Sequence, residues 1–219
     1  MLQSVVLASG GSGRIDYEAL KYFTEFWASD NTDPLQRLFI QYGYSFFYPA
    51  KSMSAHVTSW NKNTSVKFRT DVAMMGKLGF DIKLSDMSGD DLTYCQEAVK
   101  NYKRLRPAIM EGDLYRLVSP YEGNRTHAAA QFVCKDKQKA VVFAFDTYPG
   151  YGEKYLPVRL EGLDAGKQYR VKEINLMPGQ GSWLSENDRV LSGDYLMTVG
   201  LNLFSGNKLT SHVVEITAE

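Results

Sequence analysis

The 219-residue chain is 44% hydrophobic and 23% charged, with 25 Lys and Arg set against 25 Asp and Glu. That is an ordinary globular composition with room for one large domain or two small ones, and its zero net charge argues against a nucleic-acid partner, which would need a basic surface. No apolar run approaches the ~20 residues that span a bilayer, so no membrane partner is expected, and the two cysteines, Cys95 and Cys134, read as free structural thiols.

In chain order, MLQSVVLASGGSGR has no basic region ahead of its apolar stretch and does not read as a signal peptide. VVL followed by small residues predicts a buried strand running into a glycine-rich turn. A chain that opens inside a core strand suggests part of a longer protein, which leaves the compartment open. Residues 16–27 (DYEALKYFTEFW) predict a helix, with Leu20, Phe23 and Trp27 on one face. A second helix starts at Asp33–Pro34, proline taking its preferred first position, with Leu35, Leu38, Phe39 and Tyr42 as its apolar face and Gly43 as its end. Residues 44–49 (YSFFYP) predict a strand, 66–77 a short helix and GFDIKL (79–84) another strand. His56 is read as ending a strand within SMSAHVTSW. Ser88 caps a longer helix, with Asp91 three residues on; Leu92, Cys95, Val99, Tyr102 and Leu105 form its buried stripe, and Pro107 marks its end. Alternating strands and helices of these lengths imply βα units and a parallel sheet.

From Gly112 the texture changes. DLYRLVS, AAAQFVCK, AVVFAFDT, YLPVRLEG, QYRVKEIN, DYLMTVGLNLF and HVVEIT recur at roughly ten-residue spacing between turn residues, which predicts an antiparallel sandwich with Arg159, Lys172 and Glu173 facing out. The expected division is residues 1–110 and 111–219, packed together through the helix at 88–106.

The segments ASGGSGRID (8–16) and WASDNTDPLQRLFIQYG (27–43) resemble glycoside hydrolase family 36, mainly α-galactosidases. The likeness continues through YPAKSMSAHVTSWNKN (48–63), FRTDVAMMGKLGFDI (68–82) and EGDLYRLVSP (111–120), and covers nearly the whole chain. It implies an α/β plus all-β architecture, in which a partial (β/α)8 barrel segment is followed by an antiparallel β-sandwich. The implied activity is retaining hydrolysis of terminal α-D-galactose from oligosaccharides such as melibiose and raffinose.

A retaining glycosidase needs two carboxyl groups about 5–5.5 Å apart, one as nucleophile and one as acid/base, and barrel enzymes carry them at the C-terminal ends of strands. SDNTD fits that position. Asp33 reads as the helix N-cap, which leaves Asp30 free, and the first Asp of SDNTD matches the family's acid/base. Such a group is expected to need a raised pKa. The turn SGGSGR reads either as structural or as backbone that approaches a sugar closely. Ala8, Ser9 and Gly10 match pocket positions, although many members carry Cys where Ala8 stands, which puts the sugar's identity in doubt. Arg14 matches a family arginine read as structural. Trp27 reads as a stacking platform or as core, His56 as pocket rim or packing, and Trp60 as part of a leaving-group subsite. His127 and His212 show no acidic cluster nearby. The family nucleophile lies in a K-x-D stretch upstream of the glycine-rich turn; these residues contain none, so the chain alone is expected to be inactive. No metal-site spacing, phosphate loop or Ser-His-Asp order is present, and no metal or cofactor is expected. The open alternatives are an α-galactosyltransferase of the raffinose-synthase kind, an α-N-acetylgalactosaminidase, and a non-enzymatic binding module whose free strand edges would favour a homo-oligomer.

Overall fold

The computed structural model describes residues 6–8 (backbone only), 15–60, 63–123 and 125–219. The first region holds four short parallel strands. β1 (Val6–Ala8) pairs with β2 (Glu25–Trp27), and β3 (Ser54–Thr58) pairs with β4 (Lys77–Asp81). A single parallel bridge, Phe26 to Met53, links the two pairs. Helices α1 (Pro34–Tyr44), α2 (Val66–Ala73) and α3 (Gly89–Glu111) run between and after these strands. Each has a side-chain N-cap: Asp33, Ser65 and Ser88 accept from the N–H of Gln36, Phe68 and Asp91, which satisfies donors that the first helical turn leaves unpaired.

The second region is a six-stranded antiparallel sheet. β5 (Asp113–Val118), β6 (His127–Val133), β7 (Lys139–Asp146), β8 (Gln168–Ile174), β9 (Val190–Ser192) and β10 (Thr210–Ala218) stand in the order β5-β6-β7-β10-β8-β9. Strand alternation divides β7 between two cores. Val141, Phe143 and Phe145 pack toward α2 and α3, with Phe68, Tyr94 and Leu105. Ala140, Val142 and Ala144 face the opposite side and meet Leu160, Leu196 and Leu201. That side is covered by irregular chain, one bridge (Val158 to Leu201) and the short helix α4 (Gly193–Thr198). Among the described residues the second layer is therefore not a sheet, contrary to the expected sandwich. YLPVRLEG and DYLMTVGLNLF, expected as strands, bury Leu160, Leu196, Leu201 and Leu203 without pairing in a ladder.

Other expectations also fail, each for a tertiary reason. Residues 16–27 are not a helix: a 3-10 turn at Ala19–Lys21 leads into β2. Pairing with β1 buries Phe26 completely, whereas Leu20 on the expected apolar stripe is 36% exposed, and aromatic residues suit a strand. Residues 44–49 are not a strand, because α1 runs one residue past Gly43 and Tyr44 stacks on Tyr48 at 4.9 Å in the turn that follows. The buried face of α1 includes Arg37 and Gln41 as well as Leu38, while Phe39 and Tyr42 pack against Tyr121 at the surface. His56 stands in the middle of β3 rather than at its end. Pro107 lies inside α3 on an exposed face, where the carbonyl that its missing N–H leaves unpaired is open to water. The stripe of α3 is wider than expected and includes Tyr94 and Asn101.

Glu173 points inward and is 4% exposed. It takes hydrogen bonds from the Trp183 N–H (2.8 Å) and the Ser182 hydroxyl, and its other oxygen lies 2.6 Å from His212 Nδ1. An acid therefore does neighbour His212. Burial would raise the Glu173 pKa, but the His212 and Ser182 hydrogen bonds and the His212 charge outweigh it and hold the carboxyl below its ordinary value.

The two regions are tied by Asp71 of α2, which is fully buried. It accepts from Tyr94 Oη (2.8 Å), Asn175 Nδ2 (2.9 Å) and Ser211 Oγ (2.7 Å), and pairs with Lys67 Nζ (2.6 Å). Asn175 sits at φ 57°, a left-handed conformation that asparagine tolerates. It also accepts from Asn101 Nδ2 (2.9 Å). α3 thus joins the regions through both apolar packing and this network.

Candidate active site

The parallel strands place polar side chains along one face. Glu25 of β2 bonds Lys77 Nζ (2.7 Å) and accepts from Ser54 Oγ (3.0 Å). One alternation further along stand Trp27 and His56, with ring centroids 4.3 Å apart. Gly79 lies opposite His56 in the β3–β4 ladder, and a Cβ there would come within 2.6 Å of the imidazole, so the absent side chain makes room for the ring. Burial lowers the His56 pKa, and the Arg37 charge works the same way against Asp81 and Glu25.

Beyond Trp27 the chain turns through SDNTD. Trp27 Nε1 donates to Asp30 Oδ1 at 2.9 Å. Successive side chains brace the turn: the Asn31 N–H bonds Ser29 Oγ (3.1 Å), and the Asp33 N–H bonds Asn31 Oδ1 (2.9 Å). Asp33 is occupied in capping α1, while the Asp30 carboxyl is exposed. Arg37, 4% exposed, reaches back from α1 to the carbonyls of Ser29 and Ser54 (3.2 Å each) and lies 5.3 Å from the Trp27 ring.

Of the residues singled out from the sequence, Trp27, Asp30 and His56 come together. Ala8 is the β1 partner of Trp27 in the ladder, so its backbone ends beside them. Ser9, Gly10 and Arg14 lie outside the described residues. Trp60 is 78% exposed in the loop after β3, and no hydrogen bond or ring contact among the described residues joins it to the Trp27–Asp30 pair. Beyond the ends of β3 and β4 lies a cleft of about 330 Å³ lined by Ser59, Ser65, Arg69 and Lys83. A smaller apolar cavity of about 40 Å³ sits between α1 and the β5–β6 edge; it is a packing gap remote from the carboxyl. Sequence reasoning missed Arg37, Glu25 and Lys77. The spacing of Arg37 and Gln41, four apart on α1, was the available signal for two polar groups on one buried helix face.

The Asp30 carboxyl and the Trp27 indole at the end of β2 thus gather beside the His56 imidazole of mid-β3 at one edge of the parallel strands. Residues 4–112 match the Melibiase family model and residues 127–216 the glycosyl hydrolase family 36 C-terminal domain; the chain belongs to glycoside hydrolase family 36. Similar proteins include alpha-galactosidase 2 of Hypocrea jecorina, 34% identical over 94% of this chain and 26% of that protein. Alpha-galactosidase AgaA of Geobacillus stearothermophilus is 36% identical over 78% of this chain and 24% of its own length. The chain thus spans about a quarter of these relatives. The crystal structure of AgaB from G. stearothermophilus superposes with a TM-score of 0.84 at 32% identity, over 98% of this chain and 28% of that one. A variant of AgaA in complex with raffinose gives 0.83 at 31%, over 98% and 28%.

Proposed function

We propose that this chain supplies the acid/base side of a retaining α-galactosidase site that releases terminal α-D-galactose from oligosaccharides of the raffinose and melibiose type. Residues 1–110 then form the late part of a (β/α)8 barrel, and residues 111–219 the C-terminal antiparallel domain. The observation that carries the reading is the exposed Asp30 carboxyl fixed through one oxygen by Trp27 at the end of β2. In the first half-reaction Asp30 Oδ2 gives its proton to the glycosidic oxygen as a carboxylate from outside these residues attacks the anomeric carbon. In the second it takes a proton from water, which releases galactose with its configuration retained. Trp27 and His56 flank the carboxyl and offer ring faces to the sugar. Ala8, Ser9 and Gly10 complete the proposed sugar-binding set. Trp60 stands further out, on the leaving-group side.

The test is release of p-nitrophenol from its α-galactoside. The chain alone is expected to be inactive. When it is joined behind the preceding barrel region of AgaB, turnover is expected, and Asp30→Asn should lower it by about 10²–10⁴-fold, the usual range for a general acid/base. Turnover by the chain alone that Asp30→Asn abolishes would place a nucleophile within these residues. Full activity of the joined Asp30→Asn protein would remove Asp30 from the mechanism.

A further inference from the structure

Arg37 is unusual among the cations of this chain. Its side chain is buried, and no acidic group among the described residues forms an ion pair with it. Burial alone pulls its pKa down to about 10, so the guanidinium is kept in place at a cost in desolvation. A neutral amide can also make such a join, as Gln41 does one turn later, tying α1 to α2 through Val72 O at 2.9 Å. What distinguishes Arg37 is where its planar fork lands. One arm holds the Ser29 carbonyl, directly before Asp30, and the other holds the Ser54 carbonyl in β3, two residues before His56. Its centre lies 5.3 Å from the Trp27 ring, within cation–π range, and that indole carries the hydrogen bond to Asp30.

We propose that Arg37 is a positioning residue for Asp30: by clamping the start of the SDNTD turn to β3 and seating the Trp27 indole, it sets the direction of the Asp30 carboxyl. This rests on the acid/base reading of Asp30, but its test does not need turnover. With ¹⁵N-labelled tryptophan, the chain gives three indole N–H signals, one for each of its three tryptophans; Trp27→Phe identifies the relevant one. Asp30→Asn should displace that signal at neutral pH, and the displacement reports the indole–carboxylate bond. In the Arg37→Met background the same displacement should shrink at least about fivefold, since a released indole no longer senses the carboxyl. Arg37→Lys, which keeps the charge without the fork, should give an intermediate value. An equal displacement with and without Arg37 overturns the proposal. If Arg37→Met does not fold, Arg37→Gln carries the same comparison, since it keeps a donor for only one of the two carbonyls. A lost displacement beside a fully active joined Asp30→Asn protein would keep Arg37 as the clamp and reject Asp30 as the acid/base. An unchanged displacement beside an inactive one would do the reverse.

Discussion

Strands β4 and β7 have side chains of similar chemistry but opposite surroundings. In β7, every residue after the first is buried, because strands flank it on both edges and packed layers cover both faces. In β4, no residue is fully buried; among the described residues β3 is its single ladder partner, and its face toward His56 is polar. The antiparallel region spends its buried polar groups on one another, as Glu173 does with His212 and Ser182. In the parallel region the polar face runs from the buried Glu25 and Ser54 to the more open Trp27, His56 and Asp30. The two regions thus use strand alternation differently: β7 is closed on both faces, while β4 is not.

The sharpest way to break this contrast is at the seam. Asp71→Ala would strip the buried hydroxyl of Tyr94, the amide of Asn175, the hydroxyl of Ser211 and the ammonium of Lys67 of a shared acceptor. A loss of about 3–5 kcal/mol is expected, measured as a lower urea midpoint. If the regions are energetically one unit, a single transition should shift; two separate transitions would show that the seam couples nothing.

A smaller effect should be confined to the antiparallel region. The Glu173 carboxyl is held below its ordinary value of 4.5 in the fold, so the unfolded chain takes up its proton first as pH falls. Its stabilisation is present above that ordinary value and lost as pH drops through the lowered one. Urea midpoints between pH 3 and 7 should show this loss, and Glu173→Gln should flatten the acid limb while costing about 1–3 kcal/mol at neutral pH. An unchanged acid limb would mean that other carboxyls carry the dependence.

The smallest expected change is at Trp60. Its side chain is 78% exposed, so Trp60→Ala should move stability by no more than about 0.5 kcal/mol, read from the same urea curves. A larger loss would show that the loop after β3 is part of the packed structure rather than an outlying surface.

What could be read in the sequence was mostly local. The caps at Asp33 and Ser88 are set by a side chain and a backbone N–H three residues apart, so the pattern is visible without any fold. The SDNTD turn was legible through its motif. Glu25–Trp27 was not, because that segment becomes a strand only through β1 and Met53, distant partners that outweigh the helical spacing of Leu20, Phe23 and Trp27. Glu173 was placed outside for its charge, although alternation sets it on the buried face of Tyr169 and Val171, where the Ser182–Leu184 turn folds over it. Arg37 went unread, because its burial is tied to two carbonyls that belong to other parts of the chain.

The hydrogen bond from Ser211 to Asp71 spans 140 residues. On a ribosome adding ~5–20 residues per second, α2 is made roughly 7–28 s before β10. Until Ser211 is made, the Asp71 carboxylate can be met by Lys67, Tyr94 and then Asn175 but not by Ser211, and until β7 is made the apolar surfaces of α2 and α3 lack Val141, Phe143 and Phe145. The buried network that joins the two regions is therefore completed only when the last strand of the chain, β10, has been made.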